Sequence, residues 1–137
     1  MRGDPLPHED NVVRYVGGSK LNDDGTVLSE AFNDRLISVN WLEFHSGSKD
    51  EQVARVRKVL RLKIGKTAVL AELGVKAIHN LNLDVLENPL EATSEWPAAP
   101  CHADIVYIPT NVRQQMLTFE KLADLVVATY PAYEEQH

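Results

Sequence analysis

The nine residues from Leu36 to Phe44 (LISVNWLEF) restrict this chain more than any other stretch. Side chains alternate across a strand, so Ile37, Val39 and Trp41 point one way while Leu36, Ser38, Asn40, Leu42 and Phe44 point the other. Both sets contain large apolar groups. A strand of this kind is expected at the centre of a sheet covered on both sides, which calls for layers packed against it. A chain of 137 residues is long enough to build one such core and too short for a second full domain.

Other segments supply the partners. Asn11 to Val16 (NVVRYV) is a short β-rich run broken by Gly17, Gly18 and Ser19, and Asn22-Asp23-Asp24-Gly25 is a turn signal. Thr26 to Phe32 reads as a returning strand or a short irregular crossing. Thr67 to Leu73 is taken as a strand, followed by a short helix from Gly74 to His79. Leu81, Leu83 and Val85 alternate with Asn82 and Asp84 as a further strand, and His102 to Ile108 forms another, ended by Pro109. Between them Asn88 to Cys101, with Pro89, Trp96, Pro97 and Pro100, is a long surface loop.

Two helices are marked by their caps. Ser48-Lys49-Asp50-Glu51 is a capping box, in which the serine hydroxyl takes one orphan amide and the glutamate another. Val53, Val56, Val59 and Leu60 form that helix's apolar stripe, with Arg55, Lys58 and Arg61 opposite. The last helix starts near Asn111, with Gln114 three residues on, and keeps Val112, Met116, Phe119, Ala123, Val126 and Tyr130 on one face until Pro131. The expected fold is α+β, a mixed or mainly antiparallel sheet of about five or six strands with two main helices. Residues 1–10 are expected to be a flexible tail and 11–137 a single α+β domain.

Composition narrows the setting. One cysteine, Cys101, excludes an internal disulfide framework and a cysteine-rich zinc module. No run approaches the roughly 20 apolar residues that span a bilayer, so no membrane role is expected. Met1 to Asp10 lacks the apolar stretch of a signal peptide, and a cytoplasmic protein is the expectation. A net charge of −6 disfavours nucleic acid over long range. The charge is segregated, however. Seven of the 14 basic residues fall between Lys49 and Lys66, whereas the segment from Asn88 onward is acidic.

Two short patterns suggest chemistry. Glu43-x-His45 closes the Leu36–Phe44 strand, and His102-x-Asp104 opens a later one. Residues two apart on a strand share a face, so each pattern presents one imidazole and one carboxylate together. Were the two strands antiparallel neighbours, Glu43, His45, His102 and Asp104 would converge, as catalytic acid–base groups or as ligands of a divalent metal. Cys101 and His102 are adjacent on a strand, point to opposite faces, and are not expected to share a proton. Arg14, inside an apolar strand, is the candidate anion-binding residue, because a guanidinium offers a two-pronged hydrogen bond to carboxylate or phosphate. Ser38 and Asn40 are candidates for lining a pocket. Arg55, Lys58, Arg61 and Trp96 are the candidate partner-binding residues.

The stretches RYV, SKL, DG, AF and SVNWLEF between Arg14 and Phe44, with HADIVYIP from His102 to Pro109, resemble those of a group of small bacterial proteins of uncharacterised function. The likeness covers under a third of the chain and transfers no functional residue. The leading expectation is a non-enzymatic protein-binding or regulatory module of a bacterial cytosolic system. Its partner is expected to be another protein or a second copy of the chain, as a dimer. The alternative is a small enzyme or a ligand- or metal-binding domain that uses the His/carboxylate cluster. The sequence names no cofactor.

Overall fold

In the computed structural model, which describes residues 1–134, NVVRYV forms strand β1 (Asn11–Val16) and ISVNW forms β2 (Ile37–Trp41). Glu135 to His137, the end of the expected domain, lie outside the described residues. Four more strands follow: β3 (Val69–Gly74), β4 (Asp84–Glu87), β5 (His102–Val106) and β6 (Ala128–Pro131). Together they make one six-stranded antiparallel sheet in the order β4-β5-β2-β1-β3-β6. Helices α1 (Lys49–Arg57), α2 (Val75–His79) and α3 (Val112–Asp124) pack around it. The α+β class expected from the sequence is the one observed. No helix among the described residues is long and apolar enough to cross a membrane.

Strand alternation divides the side chains between two faces. On the first, Val12, Val16, Ile37, Val39, Leu73 and Ile105 join one core with Phe32 from the short 3-10 turn Ser29–Phe32, Ile78 of α2, and Phe119 and Leu122 of α3. On the second, Val13 and Leu70 pack against Val53 and Val56 of α1 and against Leu60 beyond it. Helix α1 has only nine residues, about 14 Å of length, and its core partners lie on β1 and β3. The second face of β2 and β5 carries Ser38, Asn40, His102 and Asp104 instead. The expectation that β2 is covered on both sides is therefore corrected. Ser38 is exposed, and Leu36 is 61% exposed. The strand ends at Trp41, and Leu42–Phe44 continues as a 3-10 turn.

The caps act where the sequence put them. Ser48 Oγ accepts from the Glu51 amide at 3.3 Å, and Glu51 Oε1 accepts from the Ser48 amide at 3.2 Å. Asn111 Oδ1 accepts from the Gln114 amide at 3.1 Å. Both helices are shorter than expected. Helix α1 stops at Arg57, so Arg61 lies beyond it and Arg55, Lys58 and Arg61 form no continuous helical stripe. Helix α3 stops at Asp124, and Val126 and Tyr130 do not belong to it. Ala128–Pro131 pairs instead with β3, Ala128 opposite Glu72 and Tyr130 opposite Leu70. The run Val126-Val127-Ala128-Thr129-Tyr130 is rich in β-branched and aromatic residues, and an open sheet edge offers it a ladder that outweighs its helical period. Helix α3 buries Phe119 and Leu122, while Val112 is 70% and Met116 59% exposed.

The N-terminal residues, expected as a tail, lie along the edge of β4. Gly3 N donates to Glu87 O, Glu87 N to Asp4 O, and Leu6 N to Val85 O, and Leu6 is buried. His8 Nδ1 meets His79 Nδ1 at 2.8 Å, and His79 Nε2 donates to Asp84 at 3.0 Å. Arg2 donates to Asn88 Oδ1 and to Pro89 O.

The two sides of α3 differ enough to be told apart by denaturation. Leu122→Ala opens a core position and is expected to lower stability by about 2–5 kcal/mol. Met116→Ala removes a mostly solvated side chain and should stay within about 0.5 kcal/mol. Urea unfolding followed by circular dichroism checks both; equal losses would mean that Met116 belongs to the core.

Candidate functional site

Strand β1 is paired with β3 along all six of its residues but with β2 at only two positions, Val12 with Trp41 and Val13 with Asn40. From there toward Ile37, β2 parts from β1, and the Arg14 side chain fills the opening. Its Nε donates to Ala31 O at 3.1 Å, Nη1 to Ser38 O at 2.9 Å, and Nη2 to the Asp34 carboxylate at 2.9 Å. A side chain thus satisfies the Ser38 carbonyl where the ladder has lapsed, and three of the five guanidinium N–H groups are used.

The opening continues into a cavity of about 460 Å³ on the second face of the sheet. Ser38, Asn40, Tyr15 and His102 line it from the strands. Arg14 and Lys20 join them from the β1 side, and Val59 to Leu62 together with Leu90 and Ala99 complete the wall. Among the described residues, three cations, Arg14, Lys20 and Arg61, line this space and no carboxylate does. Among the described residues neither Lys20 nor Arg61 has an ion-pair partner. Arg61 Nη2 donates to the backbone carbonyls of Glu91 and Pro97 and so fastens the 88–101 loop to the segment after α1. Its Nε is buried without a hydrogen-bond partner.

The four residues expected to converge are divided. Strands β2 and β5 are antiparallel neighbours, with Asn40 opposite His102 and Ser38 opposite Asp104, the arrangement the cluster needed. The 3-10 turn after Trp41, however, takes Glu43 and His45 off the strand. Glu43 accepts from Asn11 N at 2.7 Å and Asn11 Nδ2 at 2.9 Å. The His45 carbonyl accepts from Gln52 Nε2 at 3.0 Å, and the His45 Nε2 is buried without a partner. Burial first, and then the Arg55 charge, hold this imidazole below the usual histidine range. Among the described residues no three His, Cys, Asp or Glu groups are placed to hold a metal ion.

His102 and Asp104 remain together, organised by Asn88. The His102 Nδ1 lies 2.9 Å from Asn88 O, which can only accept, so Nδ1 carries the proton. Asn88 Nδ2 donates to Asp104 at 2.8 Å. His102 Nε2 stands 3.9 Å from Asp104 Oδ1, too far for a hydrogen bond. Of this pair only His102 lines the cavity.

Among the other expected residues, Arg14 and Arg61 line the cavity, whereas Arg55 and Lys58 are exposed elsewhere. Trp96 is half-buried at a tight turn, with its amide donating to Thr93 Oγ1 at 3.0 Å and its carbonyl accepting from Thr93 N at 2.9 Å. Ser38 and Asn40 do line the pocket, as their shared face suggested. Lys20 and Asn88 are the residues here that the sequence does not mark. Lys20 follows a Gly-Gly-Ser break and Asn88 precedes a proline, both ordinary loop settings with no chemical signature. No protein-family model, curated protein or solved structure matches this chain.

Two other groups on this face are perturbed. Cys101 is buried, with Sγ donating to Asn40 Oδ1 at 3.4 Å, and burial pushes its thiol up to about 11. Glu72 is buried between Lys49 Nζ at 3.0 Å and the Tyr130 hydroxyl at 2.6 Å. Burial and then the Glu72 carboxylate push the Tyr130 phenol up to about 12.

Both raised values favour the neutral form in the folded chain, so the stability they contribute is complete below the ordinary values and is lost as pH rises through the folded ones. For Tyr130 that window runs from 10.0 to about 12, and Tyr130→Phe should flatten the fall of the urea midpoint across it. Cys101 should react with a disulfide reagent at neutral pH only after unfolding, and rapid labelling of the native protein would contradict its burial.

Proposed function

We propose that this protein is a non-enzymatic binding module that holds a small anion-bearing molecule in the cavity beside β1 and β2. One observation carries the reading: among the described residues, three cations and no carboxylate line a partly apolar cavity of about 460 Å³, in a chain whose net charge is −6. Cavities of this size suit small ligands, and a few fixed polar groups among apolar ones set orientation. Arg14 is held rigid by three hydrogen bonds and keeps two N–H groups for a ligand, while Lys20 supplies an uncompensated ammonium. Binding is favoured over conversion because His102 and Asp104 share no hydrogen bond and Glu43 is occupied by Asn11. Arg55 and Lys58 remain in solvent and suit an acidic protein partner, but an exposed pair of cations is a less specific arrangement than the lined cavity.

The test uses 8-anilinonaphthalene-1-sulfonate, which joins an anion to an apolar body, with the uncharged N-phenyl-1-naphthylamine as its control. The sulfonate should fluoresce on binding and bind better than the control. Lys20→Gln should weaken it about five- to tenfold without changing the circular dichroism spectrum. Ser38→Phe, which fills the cavity from an exposed floor position, should abolish binding. Indifference to both substitutions would refute the reading.

A further inference from the structure

We infer that the molecule held in this cavity is an elongated dianion, with one anionic group at Arg14 and Lys20 and the second at Arg61. The inference rests on the binding reading above and names the ligand class for the same site. Its first support is the separate origin of the cations. Arg14 and Lys20 come from β1 and the turn after it, whereas Arg61 comes from the segment after α1 and is tied by Nη2 to the carbonyls of Glu91 and Pro97. Apolar Leu60 and Leu90 belong to the same lining and suit the uncharged part of such a molecule. A single carboxylate or phosphate fills only a small part of about 460 Å³ and leaves the other cation unanswered.

The second support is the Arg61 side chain itself. Its Nε–H is buried and has no hydrogen-bond partner, although buried donors are nearly always paired. Nη2 donates to both carbonyls and so fixes the guanidinium plane, which leaves Nε–H and Nη1 without a protein acceptor among the described residues. Nε–H and Nη1 lie on different edges of the plane, so each offers an anionic group a single charge-assisted hydrogen bond. Arg14 is pre-organised in the same manner, with three N–H groups used and two left. The cavity therefore repeats one device, a guanidinium fixed by backbone carbonyls, on groups drawn from two parts of the fold.

The experiment compares suberate, an eight-carbon dicarboxylate, with octanoate, the monocarboxylate of equal length, by nuclear magnetic resonance titration of the full chain into the high millimolar range. Suberate should bind about tenfold more tightly than octanoate. Arg61→Gln should remove that advantage by weakening suberate more than octanoate, and Lys20→Gln should weaken both. Equal affinities that both fall in Lys20→Gln would overturn the second anionic position and leave the binding reading intact. If Arg61→Gln weakens octanoate as much as suberate, Arg61 acts by holding the loop, and the dianion is again overturned. Absence of binding by either probe overturns the dianion assignment, while the sulfonate assay decides the binding reading separately.

Discussion

The parting of β1 from β2 is the feature on which the rest of the second face depends. Adjacent strands normally satisfy each other's amides and carbonyls, and a ladder that lapses after two pairs must find other partners. Arg14 supplies them. Its side chain reaches Ser38 O on one strand and Ala31 O on the 3-10 turn, and Asp34 balances its charge from the solvent side. A hydrogen bond to a charged group contributes about 1.5–3 kcal/mol where it is shielded from water, and less at the exposed Ser38 and Asp34 contacts. An arginine is suited to the task because its planar fork serves three acceptors at once, which a lysine ammonium does not do in one plane. The cavity is thus a consequence of how the sheet is kept apart, and the group that keeps it apart is also one of its cationic walls.

The second wall depends on the other end of the chain. Asn88 accepts from His102 and donates to Asp104, so it sets the orientation of the only histidine in the lining. Arg2 in turn donates to the Asn88 side chain and to the Pro89 carbonyl at the root of the 88–101 loop. The segment carrying Arg2 is seated by backbone pairing on β4, by buried Leu6, and by the chain of contacts from His8 through His79 to Asp84. It also covers what would otherwise be an open sheet edge beside β4. The N-terminal residues therefore belong to the sheet's architecture and reach the cavity through a single asparagine.

What the sequence disclosed, and what it hid, follows from the range of the interactions involved. Ser48 with Glu51 and Asn111 with Gln114 are local devices, and both caps are where their spacing put them. The alternation of NVVRYV and of ISVNW is equally local, and both are strands. The end of helix α3 is not legible locally, because Val126 and Tyr130 continue its period while the competing partner, β3, lies more than fifty residues away in sequence. The antiparallel contact of β2 with β5 was the condition set for the histidine cluster, and it is met, but a turn of 3-10 helix after Trp41 sends Glu43 to Asn11. Arg14 and the Ser38–Asn40 face were legible as candidates because polar groups inside apolar strands stand out. Lys20 was not, because a lysine after a glycine-rich break looks the same whether it faces solvent or a cavity.

On the proposed reading, two of the cavity's cations, Lys20 and Arg61, have no ion-pair partner among the described residues because one would compete with the ligand. A carboxylate placed beside Lys20 or Arg61 would stabilise the empty protein, but it would also compete with any anionic ligand and would have to be displaced on binding. Asp34 shows how the conflict is avoided at Arg14. It pairs with one nitrogen, is itself 57% exposed, and is absent from the cavity lining, so the remaining N–H groups stay available. The surplus acids elsewhere repel anions at long range, which salt screens beyond about 8 Å, while inside a lined cavity the nearby cations dominate. The proposed reading therefore favours a small anion over a long polyanion, whose remaining charges would stay against the acidic body. On the proposed reading, the charge distribution that opposes a long polyanion still leaves a local cationic cavity for a small anion.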